Sequence, residues 1–508
     1  MPWPKKLDSA AVSDTAVANA AAQLGGRAVS NSLFVLAART VSRVISLVVV
    51  IVLANTLGDS GYGRYTTLVI YSGLVSVVAD LGFSPLYTRE AARNREALGA
   101  YLGTLLILKV GLSAASVVVF AIALGLGAGL PSLILPGAAL LIATSYATQL
   151  RNTFYAVGRA EFDAIALVAE ILIQGGLILL GAKMHAGVGY FVWAYAASYA
   201  FTIVYSLAVI RVFSLGNVRP GLDLGLIRRW WPLALAFAFT SFLTNLYFNA
   251  DVVILQHVRS FAEVGWYRFA YKPFEATQFV PLAIQTVVYP ILGVYFVSSL
   301  EGLKVAYVRF FKVLVLLGWP LTVGTFVLVH PIGRLFRLFP QSEPSLRILA
   351  FAIVFLFANS AFYAMLNATN RQHLNAWATG LAAGINIGLN LVFIPLYGYL
   401  AASTTTVITE ASLCALGWWF VQRNRPELRL NVPAVAWKIA VAGAVMGAVL
   451  FPLSRFSIFV AAPAGFVAYA GAIYLLRAID PEEWRLATAA IRARNPVPTS
   501  AVGGEGKG

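Results

Sequence analysis

Fourteen apolar runs fill most of this 508-residue chain, and each is about as long as the ~20 residues a helix needs to cross a bilayer. They lie at 30–57, 64–87, 99–126, 131–156, 162–182, 187–211, 229–257, 263–297, 306–330, 345–370, 374–396, 398–422, 433–453 and 456–477. The third and fourth are parted only by Gly125 to Pro131, the eleventh and twelfth only by Pro395 to Gly398. Connections this short leave little chain for a soluble domain. Composition agrees: 59% of the residues are hydrophobic and 11% are charged, against about 25% charged in ordinary soluble domains. So few charges cannot build a solvated shell, which excludes a water-soluble enzyme or a disordered chain. The expected fold class is an all-α membrane protein of about fourteen transmembrane helices.

The net charge of +16 would suggest nucleic acid in a soluble protein. In a membrane protein it reads as basic residues gathered in cytoplasmic loops, with no nucleic-acid partner. With the N-terminus inside, 25 Lys and Arg fall in cytoplasmic segments and 8 in outer ones. Arg334, Arg337 and Arg347 form the one basic cluster on the outer side. Both termini are therefore expected in the cytoplasm, in the cell (inner) membrane, with no cleaved signal peptide. Cys414 is the single cysteine, and His185, His257, His330 and His373 show no ligand spacing, so no metal site and no cofactor are expected. The chain has no GxxxxGK[ST] phosphate loop.

Two weak self-similarities set the organisation. GYGRY (Gly61 to Tyr65) follows the first run, and EVGWY (Glu263 to Tyr267) follows the seventh, 202 positions later. AVGRAEFDA (Ala156 to Ala164) follows the fourth, and ATNRQHLNA (Ala368 to Ala376) follows the tenth, 212 positions later. Together they imply two six-span halves in parallel order, the plan of many transporters. The expected divisions are a cytoplasmic N-terminal segment 1–27, a first bundle 28–213, a linker 214–225, a second bundle 226–425, two added spans in 426–477, and a cytoplasmic tail 478–508. The tail opens Asp480-Pro481-Glu482-Glu483, an N-cap, a first-turn proline and two acids, which predicts a short amphipathic surface helix to about Arg494.

The same motifs carry a family resemblance. LGDSGYGRY (Leu57 to Tyr65), DLGFSPLYTREAAR (Asp80 to Arg93), NADVVIL (Asn249 to Leu255) and VGWYRFA (Val264 to Ala270) resemble, in order and spacing, those of Wzx-like polysaccharide and lipid-linked oligosaccharide flippases. These belong to the multidrug/oligosaccharidyl-lipid/polysaccharide superfamily. The resemblance implies twelve to fourteen helices in two bundles, alternating access, and movement of a polyprenyl-diphosphate-linked glycan from the inner to the outer leaflet. It also implies contact with membrane lipids and a place beside the glycosyltransferases and polymerase of a surface-polysaccharide pathway. Hydropathy alone yields only spans, orientation and repeat.

Ionisable residues at membrane depth cost about 2.5–3.5 kcal/mol each on insertion scales, so they face wet cavities or partners. Arg39 and Arg43 share one face of the first span with Ser32 and Ser46. Two cations there suit a diphosphate held by guanidinium forks; snorkelling to headgroups, or pairing with an acid from another span, are the structural alternatives. Arg268, Lys272, Glu275 and Gln278 form one stripe on span eight. Lys272 precedes Pro273, and Pro281 and Pro290 follow, so this span is expected to be kinked or broken at a site; a self-contained Lys272–Glu275 pair is the plain alternative.

Asp251, Glu275, Glu170 and Glu410 are the deep acids, candidates to carry a coupling Na⁺ or H⁺, or else interhelical ties. Glu275 is the preferred one, because it shares its stripe with Lys272. Asn245, Asn249, Asn359, Tyr363, Asn386 and Asn390 offer amides and a hydroxyl suited to sugars, or to helix–helix hydrogen bonds. Asp80 and Lys109 lie nearer the cytoplasmic ends and read as structural. No catalytic set emerges. The expected function is a flippase, not an enzyme. A drug or cation antiporter of the same superfamily is one alternative, but a cationic substrate would want an acidic cavity. A membrane glycosyltransferase, ligase or polymerase is the other. Its catalytic groups would need an outer domain, and the longest outer loop, about Pro331 to Pro344, holds one acid, Glu343.

Overall fold

A computed structural model describes residues 14–218 and 220–479. The surface helix expected over about 480–494 lies outside the described residues, as do residues 1–13 of the N-terminal segment. Among the described residues every regular element is helical. Twelve helices are long and apolar enough to cross a membrane. One of them, Ala38–Asp80, is 43 residues long and belongs to α1 (Asp14–Asp80), which is two helices merged across a kink. The kink sits at Gly58, whose φ of 68° is the left-handed region that residues with a Cβ avoid. No neighbour crowds that position, so the backbone alone requires glycine there. A further helix, α14 (Tyr399–Asn424), has the length, but Ser403, Thr405, Thr406, Thr409 and Glu410 keep it more polar than the rest. With the kinked helix resolved into two and α14 included, fourteen spans result.

The other helices follow the apolar runs. They are α2 (Phe83–Arg93), α3 (Leu98–Ile122), α4 (Ile134–Ala156), α5 (Ala160–Lys183), α6 (Val188–Val212) and α7 (Leu224–Val258). Then come α8 (Phe261–Thr277), α9 (Phe279–Ser298), α10 (Leu300–Val327), α11 (Val329–Phe336), α12 (Ser342–Ala368), α13 (Gln372–Tyr397), α15 (Val432–Leu453) and α16 (Ile458–Leu475). The short α2 buries Phe83, Leu86, Tyr87 and Ala91 and leaves Arg89 and Arg93 exposed, an amphipathic pattern. Residues expected in the longest outer loop are partly helical instead, as α11.

Span eight is broken, but not beside Pro273, which α8 accommodates. The helix ends at Thr277 and restarts at Phe279. Pro281 lies four residues beyond Thr277 and has no N–H to offer its carbonyl, so the ladder parts one turn before that proline.

The described chain forms two compact units. The first comprises Met1–Ala283, Phe336–Leu349 and Thr379–Thr409; the second comprises Ile284–Leu335, Ala350–Ala378 and the stretch from Glu410 onward. In the first, a core of Phe83, Leu86, Tyr87, Leu102, Phe154, Phe162 and Trp230 joins α2, α3, α4, α5 and α7. In the second, α15 and α16 pack beside α10: Trp319 lies against Gly443, Leu450 against Gly465, and Tyr469 donates to the Leu316 carbonyl at 2.9 Å.

Both self-similar motifs have structural counterparts. Gly158 and Asn370, 212 positions apart, hold φ of 72° and 59°. The next amide closes the helix end in each case, Arg159 N to Phe154 O at 2.8 Å and Arg371 N to Leu366 O at 2.7 Å. This left-handed cap is made by glycine in one motif and by asparagine in the other.

Candidate functional site

Two groups of charged residues at membrane depth stand out in the first unit. The first is a relay behind α1. Arg39 Nη2 donates to the Tyr155 hydroxyl at 2.8 Å, and Tyr155 donates to Asp163. Arg151 Nε donates to the other oxygen of Asp163 at 2.5 Å and pairs with Glu170 Oε2 at 3.5 Å. Thr202 Oγ1 donates to Glu170 at 2.7 Å. Two guanidinium groups thus stand with two carboxylates, and the group is neutral. It places Glu170 as the partner of an arginine and draws Arg39 toward Tyr155.

The second group centres on Glu275. Its carboxylate accepts from Lys272 Nζ at 2.7 Å and from Arg268 Nη2 at 3.4 Å, and Arg43 lies within electrostatic reach of it. Arg268 is buried, rests its guanidinium 5.2 Å from the Tyr271 ring centroid, and keeps a buried Nε with no partner. Arg43 is exposed on α1 and makes no hydrogen bond or ion pair with a described residue. Lys272 and Arg268 bond the Glu275 carboxylate and Arg43 lies within its electrostatic reach, while Asp251 lies within that of Arg268, so three cations stand with two carboxylates and leave a surplus of one positive charge. Such a surplus at membrane depth is costly unless an anion answers it. Of the four cations that sequence analysis proposed, the structure brings three together and places Arg39 in the neutral relay.

Asp251 occupies a different setting. It is buried, accepts from the Tyr267 hydroxyl and from Val252 N at 2.8 Å, and lies within electrostatic reach of Arg268 without bonding it. Tyr267 also meets Thr406 Oγ1 at 3.2 Å. On the facing helices Asn390 Nδ2 donates to Asn386 Oδ1 at 2.9 Å, Asn386 Nδ2 to Thr409 Oγ1 at 3.0 Å, and Thr405 to Asn390. This buried, oxygen-rich cluster joins α7, α8, α13 and α14, and it satisfies Asn386 and Asn390 within the protein. Its hydroxyl partners were legible as a Ser/Thr run in span twelve that sequence analysis passed over.

Asn245 and Asn249 bond back to their own helix, to Ser241 O at 2.9 Å and Asn245 O at 3.0 Å. Asn359, Tyr363 and Glu410 belong to the second unit. Tyr363 is exposed, Asn359 lies beside Gly417, and Glu410 makes no ion pair or hydrogen bond with a described residue. No group of three or more His, Cys, Asp or Glu able to hold a metal occurs among the described residues.

Known proteins resemble the chain in both sequence and fold. The model for polysaccharide biosynthesis proteins matches residues 28–296, and that for MatE matches residues 236–392. The chain belongs to the polysaccharide biosynthesis protein family. The inward closed structure of the lipid II flippase MurJ superposes on 88% of the chain and 99% of its own length, with a TM-score of 0.69 at 14% identity. An inward-facing multidrug resistance MATE transporter superposes on 76% of the chain and 95% of its own length, with a TM-score of 0.64 at 14% identity. An uncharacterised membrane protein of Methanocaldococcus jannaschii is 25% identical over 118 residues, a match spanning 21% of this chain and 23% of that relative. The fold is therefore that of the multidrug/oligosaccharidyl-lipid/polysaccharide superfamily, and the chain is one of its multi-pass membrane transporters.

Proposed function

We propose that this transporter is a flippase that carries a polyprenyl-diphosphate-linked oligosaccharide from the inner to the outer leaflet of the cell membrane, with both termini in the cytoplasm. The observation that supports this most is the pairing of Arg268 and Lys272 with Glu275, with Arg43 within electrostatic reach of the same carboxylate. A diphosphate diester carries one negative charge on each phosphate, which suits a site where cations outnumber acids. Guanidinium forks suit its paired oxygens, and the partnerless Nε of Arg268 is a donor ready for one of them. The MurJ-like fold and the polysaccharide family match are consistent with a lipid-linked glycan, and pathway glycosyltransferases and a polymerase would supply and consume it.

The MatE match over residues 236–392 keeps drug export as the competing reading. A cationic drug would meet a positive site, which opposes it. The deciding experiment uses the purified protein in vesicles. One set holds undecaprenyl diphosphate bearing a fluorescent sugar, and the other holds ethidium. Transfer of the lipid between leaflets without ethidium transport is expected. Ethidium transport without lipid transfer would overturn the flippase reading.

A further inference from the structure

The transporter holds a polar cavity whose chemistry is opposite to that of the cationic stripe. It encloses about 510 Å³ within the first unit, inside the ~300–1,000 Å³ range of small-molecule sites. Its walls come from the end of α1, the start of α2, α4 and α7. Along α4, Thr144, Thr148 and Asn152 line it at i, i+4 and i+8, so one helical face supplies a polar stripe.

The orientation of these groups decides what they can bind. Ser76 Oγ spends its proton on Gly73 O at 2.6 Å, Thr88 on Ser84 O at 3.0 Å, and Thr144 on Leu141 O at 3.0 Å. Each hydroxyl is left with lone pairs only, as acceptors. The Asn245 amide nitrogen donates to Ser241 O at 2.9 Å, which leaves its oxygen as an acceptor too. Thr148, Asn152 and Ser241 make no hydrogen bond through their side chains within the described protein. The wall is thus rich in acceptors, with a few open donors.

Its one carboxylate, Asp80, is neutralised. Lys109 Nζ pairs with Asp80 Oδ1 at 2.9 Å and with Ser145 Oγ at 2.8 Å. Asp80 also accepts from Ser84. Lys109 is buried behind the wall while Asp80 is partly exposed. A phosphate would find no open cation in the wall, since Lys109 is spent on Asp80 and Ser145, and a cation would find its carboxylate already paired. A neutral molecule dense in hydroxyl donors fits both facts.

We propose that this chamber is a sugar subsite, which binds uncharged hydroxylated residues of the glycan while the cationic stripe holds the diphosphate. The inference rests on the flippase reading above. It differs from the sugar positions expected on α7, α12 and α13, because only Asn245 of that set lines the chamber.

The test measures binding of two probes to the full-length protein in detergent, undecaprenyl diphosphate and undecaprenyl-diphosphate N-acetylglucosamine, with free N-acetylglucosamine as a third arm. The wild type is expected to favour the sugar-bearing lipid over the bare lipid by about tenfold. Thr148→Val with Asn152→Leu removes groups that hold nothing else in the protein. It is expected to erase that preference while bare-lipid binding stays the same. Thr148→Ser, which keeps the hydroxyl, should retain the preference. Protection of a Thr148→Cys thiol by the sugar-bearing lipid but not the bare lipid would support the subsite. Protection by the free sugar alone would overturn the assignment to the lipid-linked glycan. A double variant that keeps the full preference sinks the subsite but leaves the flippase reading standing. Failure of the wild type to bind either lipid better than an ordinary phospholipid sinks both.

Discussion

Gly63 and Gly265 stand 202 positions apart and meet backbone to backbone. A Cβ on Gly63 would lie 1.8 Å from Phe261 O and 3.1 Å from Gly265 N, and one on Gly265 would lie 2.2 Å from Asp59 O and 3.3 Å from Gly63 N. The contact is reciprocal: glycines at matching places in the two self-similar motifs close on each other, and Trp266 Nε1 donates to Asp59 at 3.0 Å beside them. A backbone carbonyl cannot rotate out of the way, so a side chain here must part the helices. Overpacking of this kind costs about 1–3 kcal/mol. Cysteines at Asp59 and Trp266, in a Cys414→Ser background, should be joined by a short thiol cross-linker. Adding Gly265→Val should cut the yield about tenfold, since ~1.4 kcal/mol is a factor of ten. An unchanged yield would show that the glycines do not hold this contact closed.

Arg43 is the exposed member of the three cations around Glu275. Arg43→Ala should abolish lipid transfer with membrane abundance near normal, because the side chain holds nothing else together. Arg43→Lys should restore part of it, since a point charge lacks the bidentate fork. Full transfer by the alanine variant would remove Arg43 from the diphosphate site.

The expected orientation is open to a direct measurement. Single cysteines near Arg93 and Asn424 should react with a membrane-impermeant maleimide only from the cytoplasmic side. Those near Gly127 and Gln341 should react only from outside. Labelling of a C-terminal cysteine from outside would reverse the orientation.

Much of this architecture is legible in the sequence because each span is apolar by itself. The kink at Gly58 and the cap at Gly158 also announce themselves, as glycines between runs. The rest depends on distances the chain hides. Lys109 and Asp80 lie 29 positions apart on different helices, so each alone looks like a solitary charge near a membrane surface. The α4 stripe of Thr144, Thr148 and Asn152 is visible at its spacing, but hydroxyls in a span usually bond their own helix, and nothing local says that they face a cavity. Span eight shows the limit of a single rule. Three prolines are equally suggestive, since each leaves a carbonyl four residues before it without a donor, and nothing local tells which one ends the helix. Glu275 and Asp251 look alike as deep acids, because sequence does not say which of them cations bond directly.

That last difference leads to a prediction about energy coupling. An inside-negative potential favours outward movement of an anionic head, by ~2.3 kcal/mol per charge per 100 mV for net charge moved. A co-transported cation needs an acid that is not already committed. Glu275 is held by Lys272 and Arg268, whereas Asp251 has only hydroxyl and backbone donors and stands beside the oxygens of Thr406 and its neighbours. We therefore expect Asp251→Asn to lose the response of lipid transfer to an imposed Na⁺ or H⁺ gradient while still binding the lipid. Glu275→Gln should keep that response and alter lipid affinity instead, because it leaves Lys272 and Arg268 without a counter-charge. Both variants and the wild type would be compared in reconstituted vesicles under Na⁺, H⁺ and voltage gradients applied separately. Loss of the gradient response in Glu275→Gln, with Asp251→Asn unaffected, would return the coupling role to the stripe on α8. A wild type indifferent to every gradient would mean that transfer runs downhill, drawn by removal of the glycan on the far side.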